Sequence, residues 1–227
     1  MNLLSRSLGA AFALLCGMLL ASTALADDGH ARRYEVSITN LTRGQQFTPI
    51  LVASHRSNVR LFKLGSPASP ELAALAEEGN TAPLQAALEA SPGVAQVVTG
   101  NALTEPGATT TLMVDARGAS RLSVAAMMIP TNDGFFALNG IELPRGADTL
   151  AMTAPAYDAG SEKNDELCAS IPGPLFAECN GSGGGARVGG GEGYVHIHAG
   201  IHGIGNMLAA TRDWHNPVAL ISVRRVR

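Results

Sequence analysis

Alternation of apolar and polar residues is the first regular feature of this chain. Residues 34–40 alternate strictly and end at an asparagine, which is typical of a strand with one buried face. Other apolar runs separated by Gly, Pro and Asn turns predict more strands, at 49–54, 59–64, 109–116, 121–129, 135–143, 193–198 and 218–227. So many short strands favour a mainly all-β fold, an antiparallel β-sandwich, over a parallel α/β sheet.

Between the strands, one stretch has the signals of two short helices. Ser69 is a suitable N-cap, Pro70 fits the first turn, and Glu71 suits the positive end of a helix. Gly79 supplies the stop signal, and a second helix is predicted over residues 83–90. The sandwich is therefore expected to carry a short helical insert.

The N-terminus has the pattern of an export signal. After Arg6, an apolar run over residues 8–20 leads to an Ala-Leu-Ala sequence at 24–26. We therefore predict a signal peptide at 1–26 and one exported domain at 27–227, located in a periplasm or secreted. The run is shorter than the roughly 20 apolar residues that span a membrane, so no transmembrane segment is expected in the mature chain.

Charge and cysteine content narrow the class further. Removing 1–26 takes away one basic residue and leaves 15 basic against 19 acidic residues. This balance gives no basic face for nucleic acid.

The mature chain keeps Cys168 and Cys179, which we expect to form a disulfide outside the cytoplasm; a metal-thiolate role is the alternative. The glycine-rich stretch at about 181–193 is interpreted as a surface loop.

Two polar segments are rich in oxygen ligands. One interrupts two predicted strands at Asp133, and the other, residues 157–166, contains Asp158. If both lie at one end of a sandwich, their carboxylates can share Ca²⁺, which takes six to eight oxygen ligands from loops. The alternative is that each aspartate caps its own turn.

A second candidate site is formed by His196, His198 and His202. Residues two apart on a strand face the same way, so the first two imidazoles are expected side by side. Glycines at 200 and 203 allow the chain to curl the third toward them. Three imidazoles can bind Zn²⁺ or Cu²⁺, whereas the alternative is solvated or hydrogen-bonded histidines. His55 is a further candidate ligand.

Four segments of the chain form a recognisable ordered set: 47–55 (FTPILVASH), 64–69 with 75–79, 123–138 (SVAAMMIPTNDGFFAL) and 157–161 (YDAGS). Together they resemble the spondin N-terminal domain found in F-spondin and mindin. The resemblance covers roughly residues 34–162, with 218–226 as a last strand. It implies a C2-like sandwich that holds Ca²⁺ in loops at one end and serves extracellular adhesion or recognition.

The resemblance also assigns candidate ligands. Asp133 and Asp158 match acidic positions of the family's loops, and Glu162 occupies a further acidic position, where the animal domains have Asp. The tryptophan that follows the first aspartate in the family is replaced by Gly134. Residues 163–205, which contain both cysteines and the clustered histidines, match no part of the animal domains.

Three functions are consistent with this sequence. The first is an exported, calcium-binding recognition or adhesion module that contacts an extracellular or envelope protein or polysaccharide. The second is a Zn²⁺- or Cu²⁺-binding protein or metalloenzyme that uses the three histidines. The third is a purely structural envelope or matrix protein. Since the sequence has no GxSxG, HExxH or P-loop motif, we do not expect an enzyme.

Overall fold

The computed structural model describes residues 32–173, 176–181, 183–185 and 189–226, and in these ranges the chain is mainly antiparallel β-sheet. The predicted signal peptide and residues 182 and 186–188 of the glycine-rich stretch lie outside the described residues. The strands are β1 (Arg33–Asn40), β2 (Gln46–Phe47), β3 (Leu51–His55), β4 (Val94–Thr99), β5 (Thr109–Asp115), β6 (Arg121–Ile129), β7 (Gly134–Glu142), β8 (Thr149–Ala154), β9 (Ala156–Asp158), β10 (His196–Ile197) and β11 (Ala219–Val226). The helices are α1 (Pro70–Glu78), α2 (Ala82–Glu89) and α3 (Ala209–Arg212), with a 3₁₀ turn at Ala177–Cys179.

The strands form two sheets, which confirms the predicted all-β sandwich. Within the described ranges, the first sheet has the order β5-β1-β11-β8 and the second the order β10-β9-β7-β6-β3-β4, with β2 paired to β6. Every one of these pairings is antiparallel. The predicted last strand, β11, lies inside the first sheet between β1 and β8.

The main core fills the space between the sheets. Alternate residues of β1 point inward and are fully buried, as the sequence pattern predicts. They pack with inward side chains of β6, β7 and β11, and the cluster includes Tyr34, Val36, Ile38, Val124, Met128, Phe136, Ile221 and Val223. Polar residues alternate with them on the outer face of β1.

The second sheet is covered on its outer face as well. Helices α1 and α2 pack there, and a second apolar cluster joins Leu72, Leu75, Leu84 and Leu88 to Leu51, Ala125 and Phe135 of the strands. Because both faces are covered, β3 and most of β6 are buried without alternation. The helical insert is therefore the third layer of the structure.

Helix α1 begins and ends where its capping residues predict. The Ser69 hydroxyl accepts a hydrogen bond from the amide of Leu72 at 3.2 Å, and Pro70 occupies the first turn. At the other end, Gly79 adopts φ of 66°, a left-handed conformation that favours glycine. The predicted second helix is also present, as α2.

We expect Ser69→Ala to lower the free energy of unfolding by about 1 kcal/mol, because the Leu72 amide loses its side-chain partner. Ser69→Asp, which keeps an acceptor at the N-cap, should retain most of the stability. Urea unfolding monitored by circular dichroism measures both, with Ser57→Ala, an exposed loop serine, as the control. Equal losses for Ser57→Ala and Ser69→Ala would contradict a capping role.

The strand predicted at 59–64 is wrong. This segment is irregular, and its backbone groups are satisfied by a side chain. Asn139 of β7 accepts from the Leu61 amide at 2.9 Å and donates to the Phe62 carbonyl at 2.8 Å. Val59, Leu61 and Phe62 of this segment pack instead against the helix-covered face of the second sheet. Sequence analysis also missed four strands, which are β2, β4, β8 and β9.

The predicted disulfide between Cys168 and Cys179 is present, with the two Cα atoms 5.5 Å apart. It joins the segment after β9 to the 3₁₀ turn. Among the described residues, no helix has the length and apolar character needed to span a membrane.

Candidate functional site

Both sequence-predicted candidate sites meet at one end of the second sheet. Strand β9 lies between β7 and β10, and its last residue, Asp158, pairs in register with Gly134 on one side and His196 on the other. Asp133 immediately precedes Gly134. The β-ladder therefore brings the two predicted aspartates and the histidine strand together, although up to 63 residues separate them in sequence.

Asp133 is fully buried and only half satisfied. Its Oδ2 accepts from the amides of Ser161 at 2.8 Å and Glu162 at 3.0 Å, and from the Ser161 hydroxyl at 3.1 Å. Its Oδ1 is buried and has no hydrogen-bond partner among the described residues. Desolvation, followed by the charge of Asp158, raises the pKa of Asp133 to about 7, against the lowering effect of the hydrogen bonds. The pocket is thus short of positive charge.

Asp158 is buried beside Asp133 and holds its own loop. Its Oδ1 accepts from the Gly160 amide at 2.7 Å. This is the turn-capping hydrogen bond that sequence analysis gave as the alternative to cation binding. Its Oδ2 accepts from the Asn164 side chain at 2.6 Å. Each carboxylate oxygen has a further lone pair, so capping does not prevent cation binding. Glu162 is buried in the same loop, and its amide joins that loop to Asp133.

His196 faces two carboxylates. Its Nε2 lies 3.5 Å from Asp158 Oδ1 and 3.4 Å from Glu192 Oε2. Its Nδ1 lies 3.0 Å from the carbonyl oxygen of Ile197, to which it donates in the neutral ring. Desolvation lowers the pKa of His196, but this hydrogen bond and the charges of Asp158 and Glu192 outweigh it and raise the pKa overall.

His198 is buried near Asp158, and its ring packs against Trp214 with 4.9 Å between centroids. The Gly200 amide donates to its Nδ1 at 3.0 Å, which places the proton of the neutral ring on Nε2. That Nε2 lies 4.0 Å from Asp158 Oδ2 and has no partner within the described part of the chain. Desolvation lowers the pKa of His198, so the ring stays neutral.

The other predicted histidines lie elsewhere. His202 is exposed, and its Nδ1 lies 3.8 Å from Glu166 Oε1. The buried Glu166 carboxylate holds that loop by accepting from the amides of His202 and Ile204. His55 pairs with Arg121 at the opposite end of β6, where its Nε2 contacts the Ser123 hydroxyl. His55 is therefore separate from the group around Asp158, whereas His202 is close enough for its charge to act on His198 but is not one of the three ligand residues that lie within 4.8 Å of one another.

Two glycines allow the loops to pack this closely. A Cβ at Gly134 would lie 2.9 Å from the His198 ring and 2.7 Å from the Thr131 hydroxyl. This crowding explains why a large residue cannot replace Gly134 here. A Cβ at Gly160 would lie 2.3 Å from the carbonyl oxygen of Tyr194, where the Asp158 loop meets the histidine segment.

Sequence analysis missed Glu192 as a site residue because it lies in the glycine-rich stretch interpreted as a surface loop. Its spacing was the available signal, since it is the acidic residue four positions before His196. Asn164 was also missed. Its amide bond to Asp158 depends on a loop path that spacing alone does not give.

Comparison with known proteins adds one match. The Spondin_N protein-family model matches residues 22–166, which is more than half of the chain. The matched range includes Asp133 and Asp158 and ends before Glu192, His196 and His198. A search of curated proteins found no match.

Proposed function

The chain belongs to the spondin N-terminal domain family, and we propose that it is an exported recognition module of this family, with Ca²⁺ bound in the loops at one end. The observation that carries the proposal is Asp133 Oδ1, a buried carboxylate oxygen without a partner beside a second buried carboxylate. Two negative charges in a desolvated pocket require compensation, and a divalent cation supplies it.

The residues fit a hard cation. Asp133 and Asp158 supply carboxylate oxygens, and Glu162 is the third proposed ligand, with water and backbone carbonyls completing the shell. Bound Ca²⁺ would join the loop before β7 to the loop after β9. Its contribution is structural, because it would fix the loop surface that a partner contacts.

An exposed apolar surface next to this site supports a recognition role. Tyr194 and Ile197, which flank His196, are both nearly half exposed, and Leu64 is about equally exposed. The hydrogen bond from Gly65 to Val195 brings Leu64 into the same neighbourhood. We propose that this surface contacts an extracellular or envelope protein or polysaccharide, and that the role is binding rather than catalysis. Family membership and the disulfide support an extracellular location.

Thermal unfolding of the metal-stripped chain, with and without added Ca²⁺, tests the proposal. Ca²⁺ at 100 times its Kd should add about 2.7 kcal/mol to the free energy of unfolding. This raises Tm by roughly 5–10 °C for a domain of this size. Asp133→Asn should remove the response, whereas Asp148→Asn, an exposed loop aspartate, should keep it. An unchanged Tm in the unsubstituted chain would favour the purely structural alternative, in which Asp158 only caps its turn.

A further inference from the structure

A second cluster of potential metal ligands adjoins the proposed calcium site. Three ligand atoms, from Asp158, Glu192 and His196, lie within 4.8 Å of one another. The two distances from His196 Nε2, 3.4 and 3.5 Å, match the spacing of about 3.3–3.5 Å expected between two ligands at roughly 2.0–2.1 Å from a tetrahedral Zn²⁺. The separations between His196 Nε2 and the two carboxylates are thus already those of ligands on one metal ion.

The hydrogen bonding of His196 favours a metal. Because Nδ1–H donates to the Ile197 carbonyl, the neutral ring turns its Nε2 lone pair toward two carboxylates. Ligating histidines commonly donate their second ring N–H to a backbone carbonyl in this way. A lone pair facing two anions is unfavourable unless a proton or a metal ion lies between them.

His198 is the independent observation. It is buried, its Nδ1 accepts from the Gly200 amide, and its Nε2 lies 4.0 Å from Asp158 Oδ2 without a partner among the described residues. This polar group lies nearest Asp158 Oδ2, whereas His196 lies nearest Asp158 Oδ1. His198 therefore acts as a positioning residue, which holds Asp158 with Oδ1 facing the metal position. It is not itself a ligand.

We propose that Asp158, Glu192 and His196 bind a divalent first-row transition metal, for which Zn²⁺ is the probe. One imidazole with two carboxylates suits Zn²⁺, and its charge balances the two anions. Glu192 and His196 are partly exposed, which gives the ion a path from solvent and leaves a position for water. The site shares only Asp158 with the proposed calcium site, so it goes beyond that proposal and is tested separately.

Calorimetric titration of the metal-stripped chain, purified without a histidine tag, tests the site. We expect one equivalent of Zn²⁺, and intense visible absorption bands of four-coordinate Co²⁺ when Co²⁺ replaces it. Glu192→Gln and His196→Gln should each weaken Zn²⁺ binding by at least about tenfold and lose the Co²⁺ bands. Glu192 is exposed, so its substitution tests the site without a risk to folding.

Two further variants separate the sites. His202→Gln is the matched histidine control and should leave Zn²⁺ binding unchanged. Asp133→Asn should remove the Ca²⁺ response and keep Zn²⁺ binding within about threefold, whereas Glu192→Gln should do the reverse. Absence of stoichiometric Zn²⁺ binding, or equal affinity in His196→Gln, Glu192→Gln and the unsubstituted chain, would overturn this proposal and leave the calcium proposal standing.

Discussion

Asp158→Asn should abolish the response to both Ca²⁺ and Zn²⁺, because this carboxylate lies between Asp133 on one side and His196 on the other. Asparagine keeps an acceptor for the Gly160 amide, so the loop should still fold. Removing the charge also relieves its repulsion of Asp133. The metal-free variant should therefore be more stable than the metal-free parent at pH 7.5, and the order should reverse in excess Ca²⁺.

Melting curves of the parent and the variant, each with and without metal, test this reversal. Asp115→Asn is the control, since Asp115 is partly exposed and pairs with Arg33 on the first sheet. A variant that still gains several degrees from Ca²⁺ would show that Asp158 is not a shared ligand.

The metal-free protein should lose stability as pH rises from about 4 to about 7. Asp133 has a folded-state pKa of about 7 and a reference value of 3.8, so between these values the folded state holds a proton that the unfolded state has released. This is opposite to the usual behaviour of a salt-bridged aspartate. The difference between the two pKa values corresponds to roughly 4 kcal/mol of folding free energy. Bound Ca²⁺ should remove the decline in stability because it replaces the proton.

Two histidines also contribute to the pH dependence. The raised pKa of His196 makes stability decline above its reference value of 6.5, whereas the lowered pKa of His198 makes stability rise as pH approaches 6.5 from below. Urea unfolding measures the free energy of unfolding of the parent and of Asp133→Asn at each pH. Subtracting the second value from the first isolates the contribution of Asp133. A difference that stays flat between pH 4 and 7 would exclude a protonated Asp133 in the metal-free fold.

Local signals predicted much of the fold. The alternation of β1 and the caps of α1 are encoded by adjacent residues, so both elements were found at nearly their observed bounds. Strand β8 was missed because four of its six residues are exposed and the apolar and polar positions do not alternate. The segment at 59–64 was wrongly predicted as a strand because two of its backbone groups bond to the Asn139 side chain, which is distant in sequence.

Sequence analysis predicted the parts of the candidate site but not that they lie together. The acidic loops and the histidine pair were each recognisable from composition and spacing, but sequence analysis treated them as competing hypotheses. Their union depends on β10 pairing with β9, and a two-residue strand carries too little pattern to reveal its partner. The distinct roles of His196 and His198 depend on which ring nitrogen meets a backbone group, which spacing cannot give.

Strand β10 lies at the outer edge of the second sheet and contributes only His196 and Ile197 to it. An edge element can be exchanged without breaking the hydrogen bonds that join the inner strands. The imidazole ligand of the proposed Zn²⁺ site therefore lies on a peripheral element of this fold. A chain without this segment would keep the carboxylates of Asp133 and Asp158, so we expect deletion of β10 to remove the proposed Zn²⁺ binding and to leave the oxygen ligands that suit Ca²⁺.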